Sequence, residues 1–177
     1  MRRLLPLLIA CSNAATPGGD ANPTVHDAPP GTDGSSSGSD ASSVDAADLR
    51  ILVVNEVAAG ENPDWFEIIN ATTSPVELSD FLFVDKAGDF TKAVTLPQMT
   101  LAPGAFYAQD VSKAANGFGL GSDEELWVYR ASDHALSDGV DWAAGDSPTG
   151  SSYARIPDTF GAFQTTTHQT KGAPNQP

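Results

Sequence analysis

The folded part of this chain is predicted to be all-β, with two packed sheets, and three observations predict it. Hydrophobic content rises abruptly at Leu49, and from there to the C-terminus short apolar runs alternate with turn formers, the pattern of many short strands. Nine such runs fall within about 130 residues, and a single sheet of that size would leave a whole apolar face in water. Helical spacing is sustained nowhere in this region beyond one short stretch.

The expected strands, in order, are ILVVNEV (51–57), WFEIIN (65–70), FLFVD (81–85), AVTL (93–96), AFYAQ (105–109), ELWVYR (125–130), GVDWA (139–143), SYARI (152–156) and AFQTT (162–166). They are rich in the β-branched and aromatic residues that fit a pleated surface. Between them lie GENPD, TTSP, KAGD, LAPG, GLGSDE, ASDHALSDG and DSPTG, whose Gly, Pro, Asn and Asp supply the fixed or positive φ values of turns. The helical exception, QDVSKAANGF (109–118), reads as one turn closing on Gly117. Trp65, Phe81, Phe83, Phe106, Trp127 and Trp142 are the candidates for the core between the sheets.

Composition divides the 177 residues into three parts: 1–10, 11–48 and 49–177. The formal net charge is -14, and residues 49–177 alone hold seven Lys and Arg against seventeen Asp and Glu. Nucleic-acid binding needs a basic surface to neutralise phosphates, so this balance argues against it. Cys11 is the single cysteine and lies outside the folded part, which excludes a disulfide framework or a cysteine-ligated zinc within one chain.

The segment MRRLLPLLIAC opens with two arginines, continues through an apolar run from Leu4 to Ala10 and ends on a small residue before cysteine. That is the layout of a secretory signal, and it is far shorter than the roughly 20 apolar residues that span a bilayer. Leu8-Ile9-Ala10-Cys11 resembles the lipobox of bacterial lipoproteins, which implies cleavage before Cys11 and acylation of that residue. A plain secretory signal with a chance cysteine is the alternative. Ser12, rather than Asp, follows the cysteine, which by the same resemblance implies an outer-membrane or surface destination. From Ser12 to Asp48 the chain is mostly Ser, Gly, Ala, Pro, Asp and Thr, with Val25 and Val44 as the only aliphatic residues larger than Ala. Such a tract cannot bury enough apolar surface to offset its ordering entropy and is expected to be a disordered tether, with a span of about 33 Å.

The stretch NEVAAGENPDWFEIINATTSPVELSDFLFVD (55–85) resembles the opening of the bacterial lamin tail domain. That pattern runs Asn-Glu-Val, a short loop, Asp-Trp-x-Glu, Asn, Pro-Val-x-Leu-Ser, an aromatic residue and a final Asp. Here its elements are Asn55, Glu56, Val57, Asp64, Trp65, Glu67, Asn70, Pro75, Val76, Leu78, Ser79, Phe81 and Asp85. LAPGAFYA, GFGLGSDEELWVY, LSDGVDW, SYARIPD and TKGAPN follow in the family's order, with Lys171 where Pro is common. The resemblance covers about residues 50–175. It implies an immunoglobulin-like β-sandwich that serves as a binding or localisation module on secreted or membrane-associated bacterial proteins, with no catalysis by the domain.

Glu56, Asp64 and Glu67 surround the pair Trp65-Phe66, and clustered carboxylates raise the possibility of chemistry. Strand alternation places Asp64 and Phe66 on one side and Trp65 and Glu67 on the other, so the three acids need not converge. The architectural reading has Asn55 and Asp64 bonding loop amides, Trp65 in the core and Glu67 meeting a Lys or Arg across the strands. A calcium site using Asp64, Glu67, Asp85 or Asp89 and catalysis are the other readings, the latter lacking the cleft and separated pKa values of an acid–base pair. His26, His134 and His168 lie in the tether, an Asp-rich loop and the tail and read as solvated. No catalytic residue, cofactor or metal is therefore expected, and Cys11 is the single assigned site, for lipid. The expected function is a membrane-tethered module binding an envelope or extracellular protein. A structural envelope lipoprotein without a discrete ligand and a calcium-dependent adhesion module are the alternatives.

Overall fold

The computed structural model describes residues 50–177. The signal-like segment, the lipid-attachment assignment at Cys11, the tether and His26 lie outside the described residues. No helix among the described residues is long and apolar enough to cross a membrane.

Among the described residues eleven strands form, all paired antiparallel. The first sheet takes β1 (Leu52–Ala58), β2 (Asp64–Asn70), β7 (Phe106–Val111), β10 (Ser152–Ile156) and β11 (Ala162–Thr166) in the order β11-β10-β1-β2-β7. The second takes β4 (Phe81–Val84), β5 (Val94–Thr95), β8 (Glu124–Arg130) and β9 (Leu136–Trp142) in the order β5-β4-β8-β9. β3 (Val76–Glu77) and β6 (Thr100–Leu101) make a small third ladder. All nine expected strands are present, β10 and β11 with the expected bounds. The two-residue β3 and β6 are additional, since so short a pair carries no readable alternation.

The two larger sheets pack face to face as a β-sandwich. Leu52, Val54, Val57, Phe66 and Ile68 of the first sheet meet Phe81, Phe83, Leu126, Val128, Val140 and Trp142 of the second in one buried cluster. Phe66 and Phe83 approach across the interface with ring centroids 4.9 Å apart, within the range of favourable tilted aromatic pairs. The expected helical turn is α1 (Lys113–Asn116), capped by the Ser112 hydroxyl, which accepts from Ala115 N, and closed by Gly117 at φ 82°. A side chain with a Cβ is disfavoured in that left-handed conformation.

Three of the six aromatic core candidates take other places. Trp65 is buried on the outer face of the first sheet, beneath the C-terminal segment, with the Lys171 ammonium 5.5 Å from its ring. Phe106 is half-buried on that face, where it is the register partner of Ile69. Trp127 lies on the outer face of the second sheet in a small cluster with Leu82, Val84, Tyr129 and Phe90. It crosses over Gly139, its register partner: a Cβ there would lie 2.1 Å from Trp127 Cε3. The physical reason is common to all three. Parts of each sheet's outer face are covered as well, so an aromatic residue can be wholly or partly buried without facing the other sheet.

Candidate functional site

A bulge in β1 decides the geometry of the acidic stretch. Between Val54 and Glu56 the β1–β2 register shifts: Val54 pairs with Ile68 but Glu56 with Glu67, leaving Asn55 as the extra residue. Strict alternation would carry Glu56 into the hydrophobic core with Val54. The bulge instead lets Val57 enter the core and turns Glu56 onto the outer face, directly across from Glu67.

Both carboxylates are without solvent-accessible surface, because the chain after β11 crosses this face. Glu56 accepts from Ser152 Oγ at 2.5 Å, from Thr170 Oγ1 at 2.8 Å and from Thr170 N at 3.2 Å. Glu67 accepts from Gly172 N at 2.5 Å and Asn55 Nδ2 at 3.3 Å. Asn55 Nδ2 also donates to Asp158 at 2.9 Å, and Asp158 in turn accepts from Asn175 N at 3.0 Å. Asn175 Nδ2 donates to the carbonyls of Asn55 and Arg155, both at 2.9 Å. The last turn of the chain is thus stitched to the buried Asn55, Glu56 and Glu67 by half-buried polar groups.

Burial pushes Glu67 up to about 7, only partly opposed by the bonds from Gly172 and Asn55, with the neighbouring charges of Glu56 and Asp158 adding to the rise. Burial also raises Glu56, against the bonds from Ser152 and Thr170. The alternation argument that the three acids need not converge holds for Asp64 but not for this pair. Glu67 meets no Lys or Arg across the strands; it meets Glu56, because the bulge places them in register. Asp64 stands apart, as alternation requires: its Oδ2 accepts from Leu120 N at 3.0 Å and fixes the loop before β8. Asn55 likewise accepts a loop amide, Thr159 N, at 3.1 Å.

Among the described residues no three His, Cys, Asp or Glu side chains are grouped to hold a metal ion. Asp89, one of the calcium candidates, turns its Oδ1 onto Thr91 N and Oγ1 at 3.1 and 2.7 Å. His134 is exposed and stacks on Phe90 with centroids 3.9 Å apart, and His168 is exposed with its Nδ1 2.8 Å from the Pro177 carbonyl.

The chemistry this arrangement performs is that of a clamp. Two acids with no accessible surface face protein donors on every side, with no open cleft above them. Sequence reasoning missed its other members, Ser152, Asp158, Thr170 and Asn175, whose separation from β1 reaches 120 positions. It also missed a neighbouring charge cluster, in which Asp138 Oδ2 accepts from Arg50 Nη2 at 2.9 Å, Arg155 Nη2 at 3.1 Å and Val54 N at 3.0 Å. Compared with protein-family models and with curated proteins, the chain matches none.

Proposed function

We propose that this chain is a non-catalytic binding and localisation module of the bacterial cell envelope, a lamin-tail-like sandwich held to a membrane through acylated Cys11. The observation that carries this reading is the closure of the C-terminal segment over Glu56 and Glu67. Glu56 and Glu67, the acids that could have served hydrolysis, are engaged in holding the domain together, and the loops of a rigid sandwich are left as the surface on which recognition is built. The resemblance in the 55–85 stretch points the same way, since that family uses its sandwich for binding. A lipid anchor at Cys11 of two or more chains would hold the protein stably, at about 0.8 kcal/mol per buried CH2, and the acidic tract to Asp48 would space the domain from the membrane.

Affinity capture from an envelope fraction, with the full folded chain as bait and the heat-denatured chain as control, tests the reading. A saturable protein partner retained by the folded bait alone is expected. An empty capture with the bait verified as folded would overturn it. The anchor is tested separately: Cys11→Ala is expected to move the protein from the membrane to the soluble fraction, and unchanged membrane retention would remove the lipid assignment.

A further inference from the structure

A recess of about 400 Å³ opens beside the clamp, lined by Arg50, Val53, Thr72, Thr73, Thr159 and Phe160 among others. That volume falls in the range of binding sites for a small ligand or a few side chains, roughly 300–1,000 Å³. Three features, two of them on Arg50, converge on it. The first is Phe160, 86% exposed at the tip of the β10–β11 loop. Its loop is rigidly tied: Thr159 N donates to Asn55 Oδ1, Phe160 N to the Asp158 carbonyl at 2.7 Å and Gly161 N to the Pro157 carbonyl at 2.7 Å. Thr159 is held at φ 67°, a left-handed conformation that a β-branched residue adopts only at a cost. A strained, well-tethered turn that points a phenyl ring into water gains nothing for the fold from that ring.

The second feature is charge. Arg50 and Arg155 share the single carboxylate of Asp138, so this cluster retains one positive charge. Arg155 is the more enclosed partner, and Arg50, with 36% of its side chain exposed, carries that charge to the recess. No acidic residue lines the recess, although acids outnumber bases by seventeen to seven in residues 49–177. The third is Arg50 Nε, a buried donor without a hydrogen-bond partner among the described residues. Such a group is uncommon in a folded protein and calls for an explanation.

We infer that this recess binds a segment of a partner protein in which a carboxylate side chain sits next to an apolar one, the carboxylate pairing with Arg50 and the apolar group packing on Phe160. Arginine pairs well with carboxylates through its planar donor fork, and exposed aromatic anchors dominate the energetics of recognition surfaces. The inference rests on the binding-module reading and names the chemistry of its partner.

Panning a random heptapeptide library displayed on phage against the full chain tests it. Enriched peptides are expected to carry Asp or Glu beside an aromatic or aliphatic residue, and to bind Phe160→Ala and Arg50→Gln at least about tenfold more weakly than the parent. Phe160 is exposed, so its replacement leaves the fold intact and the comparison valid even where Arg50→Gln fails to fold. Enrichment of peptides without an acid, equal binding to Phe160→Ala, or no enrichment at all would overturn the assignment. The two levels fail differently: an envelope partner captured equally by the parent and by Phe160→Ala would leave the binding-module reading standing and remove the recess from it.

Discussion

Glu56 and Glu67 face one another as register partners on β1 and β2, fully buried, and each accepts hydrogen bonds from the C-terminal segment that covers them. Burial of two neighbouring acids favours their protonated forms, and that gives the stability of the domain a definite pH dependence.

Burial holds Glu67 up at about 7 in the folded chain, against the ordinary carboxyl value of 4.5. Between these values the unfolded chain releases a proton that the folded chain keeps. The contribution to stability is therefore full below pH 4.5 and is lost as pH rises through 7, by about 3 kcal/mol from this group. Glu56, also raised by burial, acts in the same direction. Denaturant midpoints measured from pH 4.5 to about 8 are expected to fall in the parent and to change much less in Glu67→Gln, which resembles the protonated acid. A parent midpoint that climbs across this window would contradict the clamp.

Asn175 joins the last turn of the chain to β1 and β10 through two bonds of 2.9 Å. Asn175→Ala leaves the carbonyls of Asn55 and Arg155 without these donors, at an expected cost of about 1–3 kcal/mol. Hydrogen exchange at the amides of Thr170 and Gly172 is expected to accelerate more than exchange in the core strands. Uniform acceleration would mean that the segment does not open as a unit.

Gly139 leaves the space that Trp127 fills. Gly139→Ala sets a methyl group against the indole at 2.1 Å and is expected to destabilise by about 2 kcal/mol or more. The same change in a Trp127→Ala background is expected to cost much less, and a double-mutant cycle on thermal or chemical unfolding measures the difference. Additive costs would show that the two residues do not compete for one volume.

Thr159→Gly relieves the left-handed backbone of the β10–β11 loop and is expected to stabilise the domain by about 1 kcal/mol, while Phe160→Ala is expected to leave stability within about 0.5 kcal/mol of the parent. The same unfolding measurements decide both. A large loss in Phe160→Ala would give the ring a structural role and weaken the case for it as an anchor.

The alternation of apolar runs with Gly, Pro, Asn and Asp by itself determined the all-β class, the positions of nine strands and the turn that closes on Gly117. These are local properties: strand propensity and the φ demanded by a turn act over a few residues. The unlike roles of Asp64 and Glu67 were legible for the same reason, since neighbours of opposite parity on one strand take opposite faces. Only the tertiary structure decided that Glu56 meets Glu67, because one bulged residue, Asn55, reverses the parity of β1 and nothing in the run ILVVNEV marks where it falls. It also decided that Trp65 is buried and Trp127 half-buried on outer faces, since apolar character specifies burial without naming the covering element. Asp158, Thr170 and Asn175 became part of the clamp through bonds to β1 residues 103 to 120 positions away. Such pairings depend on how strands register across the sheet, a cooperative outcome that no short window of sequence contains.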